Sequence, residues 1–189
     1  MALRDAEREL IVIRIVYDGP ALSGKTTTLR ALAGSLGRDL FSGDEAEGRT
    51  LYCDWLDYTG GRFEGYAIRC QVVSVPGQRS LRARRARILE TADAVVFVAD
   101  TRRAQLEASA GVLSSLRELA GSRAHPRPGA VVQANKRDAA DAAPMDEVRA
   151  WLGADGGVAI ASRWPPPDWE CARRSSSPCG SPSIACGSS

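Results

Sequence analysis

The segment that decides the fold is Gly19-Pro-Ala-Leu-Ser-Gly24-Lys25-Thr26, which fits the phosphate-binding pattern G-x-x-x-x-G-K-[ST]. The apolar run of residues 11–17 before it predicts a buried strand, and the apolar spacing within residues 25–36 predicts a helix after it. The two glycines allow the backbone to turn tightly, so that amide N–H groups and the helix N-terminus point at a bound anion. A chance glycine-rich loop is the alternative, but it would not account for the strand and the helix. The pattern therefore predicts that the chain binds a nucleoside triphosphate.

The side chains of this loop suggest how the nucleotide is held. Lys25 offers a positive charge to the phosphates, and the hydroxyl of Thr26 can bind Mg²⁺. We expect the phosphate site to consist of Gly19, Leu22, Ser23, Gly24, Lys25, Thr26 and Thr27.

Composition limits the remaining possibilities. A chain of 189 residues, 44% of them hydrophobic, is long enough for one domain with a core, and a net charge of +2 is too small to indicate nucleic-acid binding. The sequence contains no apolar run long enough to span a bilayer and no secretion signal, so we expect a cytoplasmic protein. Its five cysteines lack C-x-x-C spacing, and we expect neither a disulfide nor a metal held by cysteine. The lone His125 lies in a proline-flanked loop, and we assign it no role.

Strand and helix patterns alternate along the rest of the chain. Apolar runs predict further strands at residues 50–55, 67–75, 94–99 and 130–134, and helical spacing predicts helices at 82–91, 105–119 and 144–152, with a turn at 121–129. This alternation indicates an α/β fold, in which helices flank a doubly wound, mostly parallel sheet. We expect residues 1–160 to form this domain and residues 161–189 to be an irregular tail.

A second motif indicates which base binds. The strand at residues 130–134 leads directly into Asn135-Lys136-Arg137-Asp138, at the carboxyl end of a strand, where such sheets bind ligands. The carboxylate of Asp138 can accept two parallel hydrogen bonds from the ring N–H and the exocyclic amine of guanine, whereas adenine presents a lone pair there. Surface turns also produce this short pattern by itself. Its position after a phosphate loop favours a guanine site made of Asn135, Lys136 and Asp138, and hence GTP over ATP.

A third motif, Val75-Pro-Gly77-Gln78, comes at the end of the strand predicted at residues 67–75. Small GTPases carry Asp-x-x-Gly-Gln here, and this chain has Ser74 in place of the Asp. With its other motifs, the chain closely resembles the bacterial gliding-motility GTPases of the MglA family. The resemblance runs from about Glu9 to Leu152 and rests on Tyr17-Asp-Gly-Pro, Lys25-Thr-Thr, Arg49-Thr-Leu, Val75-Pro-Gly-Gln, Val95-Val-Phe-Val-Ala-Asp and Asn135-Lys-Arg-Asp.

The resemblance implies a Ras-like P-loop fold and a switch that binds GTP with Mg²⁺ and hydrolyses it to GDP. It also implies partners: a roadblock-type, MglB-like protein that accelerates hydrolysis, and effectors of motility or cell polarity. The location is then expected to depend on the nucleotide, with the GTP form recruited to a cell pole or to the inner membrane surface by peripheral contact.

By matching positions, the resemblance assigns roles outside the phosphate loop. Thr50 matches the threonine of the first switch, which contacts Mg²⁺. Arg49 matches an arginine finger supplied in cis, with an ordinary surface arginine as the alternative. Gly77 senses the γ-phosphate and Gln78 positions the attacking water. The expected catalytic set is therefore Gln78, Arg49 and Lys25.

Ser74 leaves an alternative open. A serine cannot supply the carboxylate that ordinarily supports Mg²⁺, so we expect the ion to depend on Thr26, Thr50, phosphate oxygens and water, with weak metal binding or slow turnover. A pseudo-GTPase scaffold that binds guanine nucleotide without hydrolysing it would also fit, and single-turnover hydrolysis separates the two. A P-loop kinase is a further alternative. The guanine motif and the absence of an arginine-bearing lid segment stand against it.

Arginines cluster after the third motif, at Arg79, Arg82, Arg84, Arg85 and Arg87. Such a run is usually a solvated helix face. In small GTPases, however, this helix follows the second switch and meets partners. An acidic protein surface or anionic headgroups are therefore alternative targets.

The end of the chain does not fit a Ras-like fold, which needs a last helix and a base-supporting loop after the sixth strand. Residues 161–189 have almost no apolar periodicity and contain three consecutive prolines. Back-translated with GC-rich codons and read from the last base of the Ala161 codon, the segment encodes an Ala-Thr-Thr-Gly loop and an amphipathic helix, with Leu or Val at the positions of Ser175, Ser176, Cys179, Ser183 and Cys186. We therefore predict a frameshift that scrambles the last helix and makes the chain as written unstable and a poor binder of GTP. A disordered Ser- and Pro-rich tail is the alternative.

Overall fold

The computed structural model describes residues 2–42, 45–46, 49–50, 53–76, 82–121, 128–152 and 159–161. In chain order the strands are β1 (Leu3–Asp5), β2 (Leu10–Asp18), β3 (Glu45–Ala46), β4 (Arg49–Thr50), β5 (Trp55–Phe63), β6 (Tyr66–Ser74), β7 (Ala94–Asp100), β8 (Gly129–Asn135) and β9 (Ala159–Ala161). The helices in these ranges are α1 (Lys25–Leu36), α2 (Arg82–Glu90), α3 (Leu106–Gly121) and α4 (Met145–Leu152), and a short 3₁₀ turn, Arg103–Gln105, precedes α3.

One large sheet organises the described residues. Its strand order is β5-β6-β2-β7-β8-β9, and β1 pairs with β2 beside this path. The pairs β2–β6, β2–β7, β7–β8 and β8–β9 are parallel, whereas β1–β2 and β5–β6 are antiparallel. The short strands β3 and β4 pair separately. The predicted α/β fold with a mostly parallel sheet is therefore confirmed.

Helices pack on both faces of this sheet. On one face, α2, α3 and α4 cover a cluster that includes Val16, Val95, Phe97 and Val132. On the other face, Leu29 and Leu32 of α1 pack in a second cluster with Tyr17, Leu56, Val72 and Val98. Strands that are covered on both faces have no polar side to alternate with the apolar one. This explains why β2 and β7 are nearly continuous apolar runs.

The first helix begins and ends where the sequence predicts, at residues 25–36. Gly24 before it and Gly37 after it both have left-handed backbone, with φ values of 99° and 61°. Past the last turn, the Arg38 N–H donates to the carbonyl of Ala33 at 2.9 Å, which closes the helix in the way glycine caps allow. Because each end has its own glycine, the helix bounds could be predicted closely.

The second strand was predicted wrongly. The sequence predicts residues 50–55, whereas the structure has the two-residue β4 and a separate β5 that begins at Trp55. β5 forms an antiparallel hairpin with β6 through Glu64 and Gly65, whose φ values are 49° and 86°. Because β5 is the sheet edge and much of it is exposed, it lacks the long apolar run of a central strand. The N-terminal strand β1 was not predicted for a similar reason, since two of its three residues are exposed.

Some predictions lie outside the described residues. They concern most of the turn at 121–129, the residues Gly77 and Gln78, and the tail beyond residue 161. The boundary between domain and tail therefore stays a prediction. In the ranges that the structure describes, no helix is long and apolar enough to cross a membrane.

Candidate nucleotide-binding site

The loop between β2 and α1 requires glycine at two positions. Gly19 has a φ of 145°, and a Cβ there would lie 2.3 Å from the carbonyl oxygen of Val98. Gly24 has a φ of 99°, and a Cβ there would lie 2.3 Å from Nδ2 of Asn135. Any side chain at either position would therefore collide with a neighbouring strand or with the guanine motif. Leu22, between them, also has a positive φ of 61°, and its side chain is 58% exposed.

Lys25 is buried inside this loop. Its side chain is 8% exposed, and its Nζ donates to the carbonyls of Gly19 at 3.0 Å and Pro20 at 2.7 Å. Burial lowers the pKa of Lys25 to about 8, against a partial opposing effect of the Asp18 carboxylate. The loop thus folds around its own ammonium group, which a phosphate can satisfy in place of the two carbonyls.

The structure brings the guanine motif to the phosphate loop. Nδ2 of Asn135, at the end of β8, donates to the carbonyl of Ser23 at 2.8 Å. Lys136 has a φ of 59°, and its Nζ lies 2.9 Å from the carboxylate of Asp100 at the end of β7. Asp138 is exposed, so its carboxylate is accessible to a base. Both predicted motifs therefore meet at the carboxyl edge of the parallel sheet, where such folds bind ligands.

Asp100 helps to hold Lys136 in place. Burial alone would raise the pKa of Asp100, but hydrogen bonds from Arg102 and Lys136 lower it below its ordinary value. The carboxylate is 3% exposed and accepts from Arg102 at 3.1 and 2.8 Å. Asp100 therefore stays ionised and anchors the lysine of the guanine motif.

A carboxylate that the sequence did not point to lies beside Thr26. Oδ2 of Asp54 accepts hydrogen bonds from the hydroxyls of Thr26 and Ser74, both at 2.7 Å. Asp54 is fully buried and directly precedes β5, next to the end of β6 where Ser74 lies. No motif marks Asp54, because it reaches the site through the β5–β6 hairpin rather than through a nucleotide-binding loop.

This cluster fits Mg²⁺, which takes oxygen ligands and keeps several of its waters. Thr26 supplies a hydroxyl, and the other oxygen of Asp54, Oδ1, is buried without a hydrogen-bond partner. A buried carboxylate oxygen of this kind is costly unless a cation or a water satisfies it. The described residues contain no group of three His, Cys, Asp or Glu that could hold a metal by themselves.

The predicted switch residues are only partly described. Arg49 and Thr50 form β4, whose backbone pairs with β3, and their side chains lie outside the described part, as do Gly77 and Gln78 entirely. Next to the phosphate loop, Thr27 is exposed on α1, whereas Thr28 is buried. The catalytic assignments of these switch residues stay predictions.

One arginine of the predicted run departs from an exposed helix face. Arg84 and Arg87 are exposed on α2, but Arg85 is 9% exposed and points inward. Its guanidinium donates to both carboxylate oxygens of Asp18, at 2.8 and 2.7 Å. The arginine-rich helix is therefore not exposed along its whole length, because Arg85 packs under the phosphate loop.

No family profile matches the chain. A relative, the mutual gliding-motility protein MglA of Myxococcus xanthus (strain DK1622), is 35% identical over 142 residues, which cover 72% of this chain and 73% of the relative. The chain belongs to the MglA family. Its Ras-like α/β fold, phosphate loop and guanine motif are those of a small GTPase.

In this member of the MglA family, Asp54 bears on the expectation that Mg²⁺ has no supporting carboxylate, which was drawn from Ser74. The sequence predicts that no carboxylate supports Mg²⁺, since a serine occupies the usual Asp position. The structure has the carboxylate of Asp54 in contact with both Thr26 and Ser74. The hydroxyl of Ser74 thus orients a carboxylate that directly precedes the neighbouring strand, and which residues support Mg²⁺ stays a prediction.

Proposed function

We propose that this protein is a molecular switch that binds GTP and hydrolyses it to GDP with Mg²⁺. The observation that carries the proposal is the 2.8 Å hydrogen bond from Asn135 to Ser23, which joins the guanine motif to the phosphate loop. A base held at Asp138 would then have its phosphates at the N-terminus of α1, where the helix dipole and Lys25 favour an anion.

The residues have distinct roles in this proposal. Lys25 would exchange its two loop carbonyls for β- and γ-phosphate oxygens, and Asn135 would keep the loop in place. Gln78 would orient the attacking water, and Arg49 would stabilise the charge that develops on the γ-phosphate. Mg²⁺, held next to Thr26 with Thr50 and Asp54, would neutralise phosphate charge. A carboxylate at Asp54 could support the ion in place of the one that Ser74 lacks, and this supports hydrolysis over a non-hydrolysing scaffold.

Family membership supports the cellular part of the proposal. The relative is named for gliding motility. We infer that this protein likewise controls motility or cell polarity, through effectors that bind one nucleotide state. A roadblock-type, MglB-like protein would accelerate hydrolysis, and the GTP form would be recruited from the cytoplasm to a cell pole or to the inner membrane surface.

Base selectivity tests the proposal. GDP should bind much more tightly than ADP, and Asp138→Asn should weaken GDP binding by about 2–5 kcal/mol, because one arm of a charged pair is lost. Titration of labelled GDP and ADP gives both affinities. Asp141→Asn is the matched control, since Asp141 is exposed in the same turn but lies outside the motif. Equal affinity for the two bases would refute the guanine assignment.

A further inference from the structure

The residue before the phosphate loop is an aspartate, which is an unfavourable neighbour for a site that binds phosphate. Asp18 is fully buried at the end of β2, and its Oδ1 accepts the N–H of Gly19 at 2.8 Å. Gly19 in turn offers its carbonyl to Nζ of Lys25. A buried carboxylate therefore lies one residue from the loop that is expected to hold two or three phosphates.

An arginine from another element neutralises this carboxylate. Arg85 of α2 donates from Nε and Nη2 to the two oxygens of Asp18, in the parallel geometry that suits a guanidinium and a carboxylate. The side chains are 11% and 0% exposed, so solvent screens the pair little. Nη2 also lies 3.4 Å from the carbonyl of Val112 on α3. The arginine is thus fixed between two helices and the loop.

We propose that Arg85 is a determinant of polyphosphate affinity, because it cancels the charge of Asp18 beneath the phosphate loop. Without Arg85, Asp18 would repel the phosphates and would attract Lys25, the cation that they need. The charge environment of Lys25 fits this, since Asp18 raises and Arg85 lowers the pKa of its ammonium group. The inference rests on the proposed binding of guanine nucleotide and adds a residue from α2 to that site.

A purely structural ion pair would behave differently. If the pair only held α2 against the sheet, removing either partner would be harmful to a similar degree, and the number of phosphates would not matter. If Arg85 acts by neutralising Asp18, the two single variants differ. Arg85→Gln leaves a bare carboxylate beside the phosphates, whereas Asp18→Asn leaves an arginine there. Asparagine can still accept the Gly19 N–H.

The experiment is a set of GDP and GMP titrations on the wild-type chain, Arg85→Gln, Asp18→Asn and the double variant. Arg85→Gln should weaken GDP binding about tenfold or more, with a smaller loss for GMP, because GDP carries more charge. Asp18→Asn should bind GDP at least as tightly as the wild type. The double variant should recover to within about threefold of the wild type. Arg87→Gln, an exposed arginine on the same helix, should change nothing.

The outcomes separate this inference from the proposed function. A wild-type chain that binds no GDP refutes the proposed function, and this inference with it. Normal GDP binding by Arg85→Gln refutes the inference alone, as does a double variant no better than Arg85→Gln. Thermal melts without nucleotide report folding. If Arg85→Gln does not fold, Asp18→Asn decides, because a loss of tenfold or more in its GDP affinity contradicts charge cancellation.

Discussion

The carboxylate of Asp54 should set the affinity of this protein for Mg²⁺, and Asp54→Asn tests this. Asparagine has nearly the same shape, so the change removes the charge and little volume. In the wild type, one oxygen of Asp54 accepts two short hydrogen bonds, from Thr26 and Ser74, and the other oxygen has no hydrogen-bond partner. The variant keeps an acceptor for the two hydroxyls but offers an amide where a cation or its water should bind.

The size of the effect follows from this arrangement. Loss of a group that orients a metal ligand typically costs about 10–100-fold in metal affinity. Hydrogen bonds to an ionised acceptor are roughly twice as strong as neutral ones, so the Thr26 hydroxyl is also held less firmly in the variant. We therefore expect the Mg²⁺ concentration that half-maximally slows GDP release to rise about 10–100-fold. GDP affinity in excess chelator, where no Mg²⁺ is bound, should change little.

The assay is release of labelled GDP into excess unlabelled GDP across a series of Mg²⁺ concentrations. Asp57→Asn is the matched control, because Asp57 lies in β5, the strand that Asp54 directly precedes, and pairs with Arg69, whose side chain is 47% exposed. Exposed pairs of this kind contribute about 0–1 kcal/mol. An Mg²⁺ midpoint for Asp54→Asn equal to that of the wild type would show that the carboxylate takes no part in metal binding.

Three further outcomes are expected. Gln78→Leu should keep nucleotide binding but abolish hydrolysis, and Arg49→Ala should slow the chemical step by ~10³-fold or more. Hydrolysis rates are measured at saturating GTP and Mg²⁺ with the activating partner present. If both variants hydrolyse GTP as fast as the wild type, the assigned roles are contradicted. GDP binding should weaken as the pH rises above about 8, because Lys25 loses its proton in the free protein, whereas a bound phosphate favours its charged form. Calorimetry in two buffers should detect proton uptake on binding near this pH. The absence of proton uptake would show that Lys25 is already fully charged in the free protein. The chain with the frame restored from the Ala161 codon should melt higher with GDP than the chain as written, since about five buried aliphatic side chains at ~1.5–3 kcal/mol each rival the ~5–15 kcal/mol that holds a domain together. An intact reading frame in the gene together with equal melting temperatures would end the frameshift hypothesis.

The parts of the fold that could be predicted from sequence are those with a local cause. The helix at residues 25–36 has a glycine at each end, and β7 and β8 are apolar runs that are buried toward their carboxyl ends, so their patterns are plain. The hairpin strand β5 has neither property. It is held by pairing with β6, whose register places Trp55 opposite Val73, and that pairing is a contact between distant residues.

The same distinction applies to the site. The phosphate loop and the guanine motif are contiguous in sequence, and the residues of each could be named in advance. The roles of Asp54 and Arg85 could not be named in advance, because each contacts a residue far away in sequence. Asp54 is 28 positions from Thr26, and Arg85 is 67 positions from Asp18. Tertiary pairing brings them there. Each contact contains a fully buried carboxylate, Asp54 in one and Asp18 in the other. Such burial would have pointed to both contacts, but sequence alone does not report burial.

Burial on the two faces of the sheet also bears on the tail. On the face that α2, α3 and α4 cover, Phe97 and Val132 are 1% exposed. On the opposite face of the same strands, Val131 is 36% exposed, and its register neighbours are Val96, which is half-buried, and Ala159, which is exposed. Strands in the middle of a parallel sheet are ordinarily covered on both faces, and among the described helices only α1 packs on this one. The amphipathic helix of the shifted reading frame would bring an apolar stripe to this row, whereas a Ser- and Pro-rich tail has none to bring. A half-covered row of this kind is what the loss of an apolar helix would leave, and the frameshift itself stays a prediction.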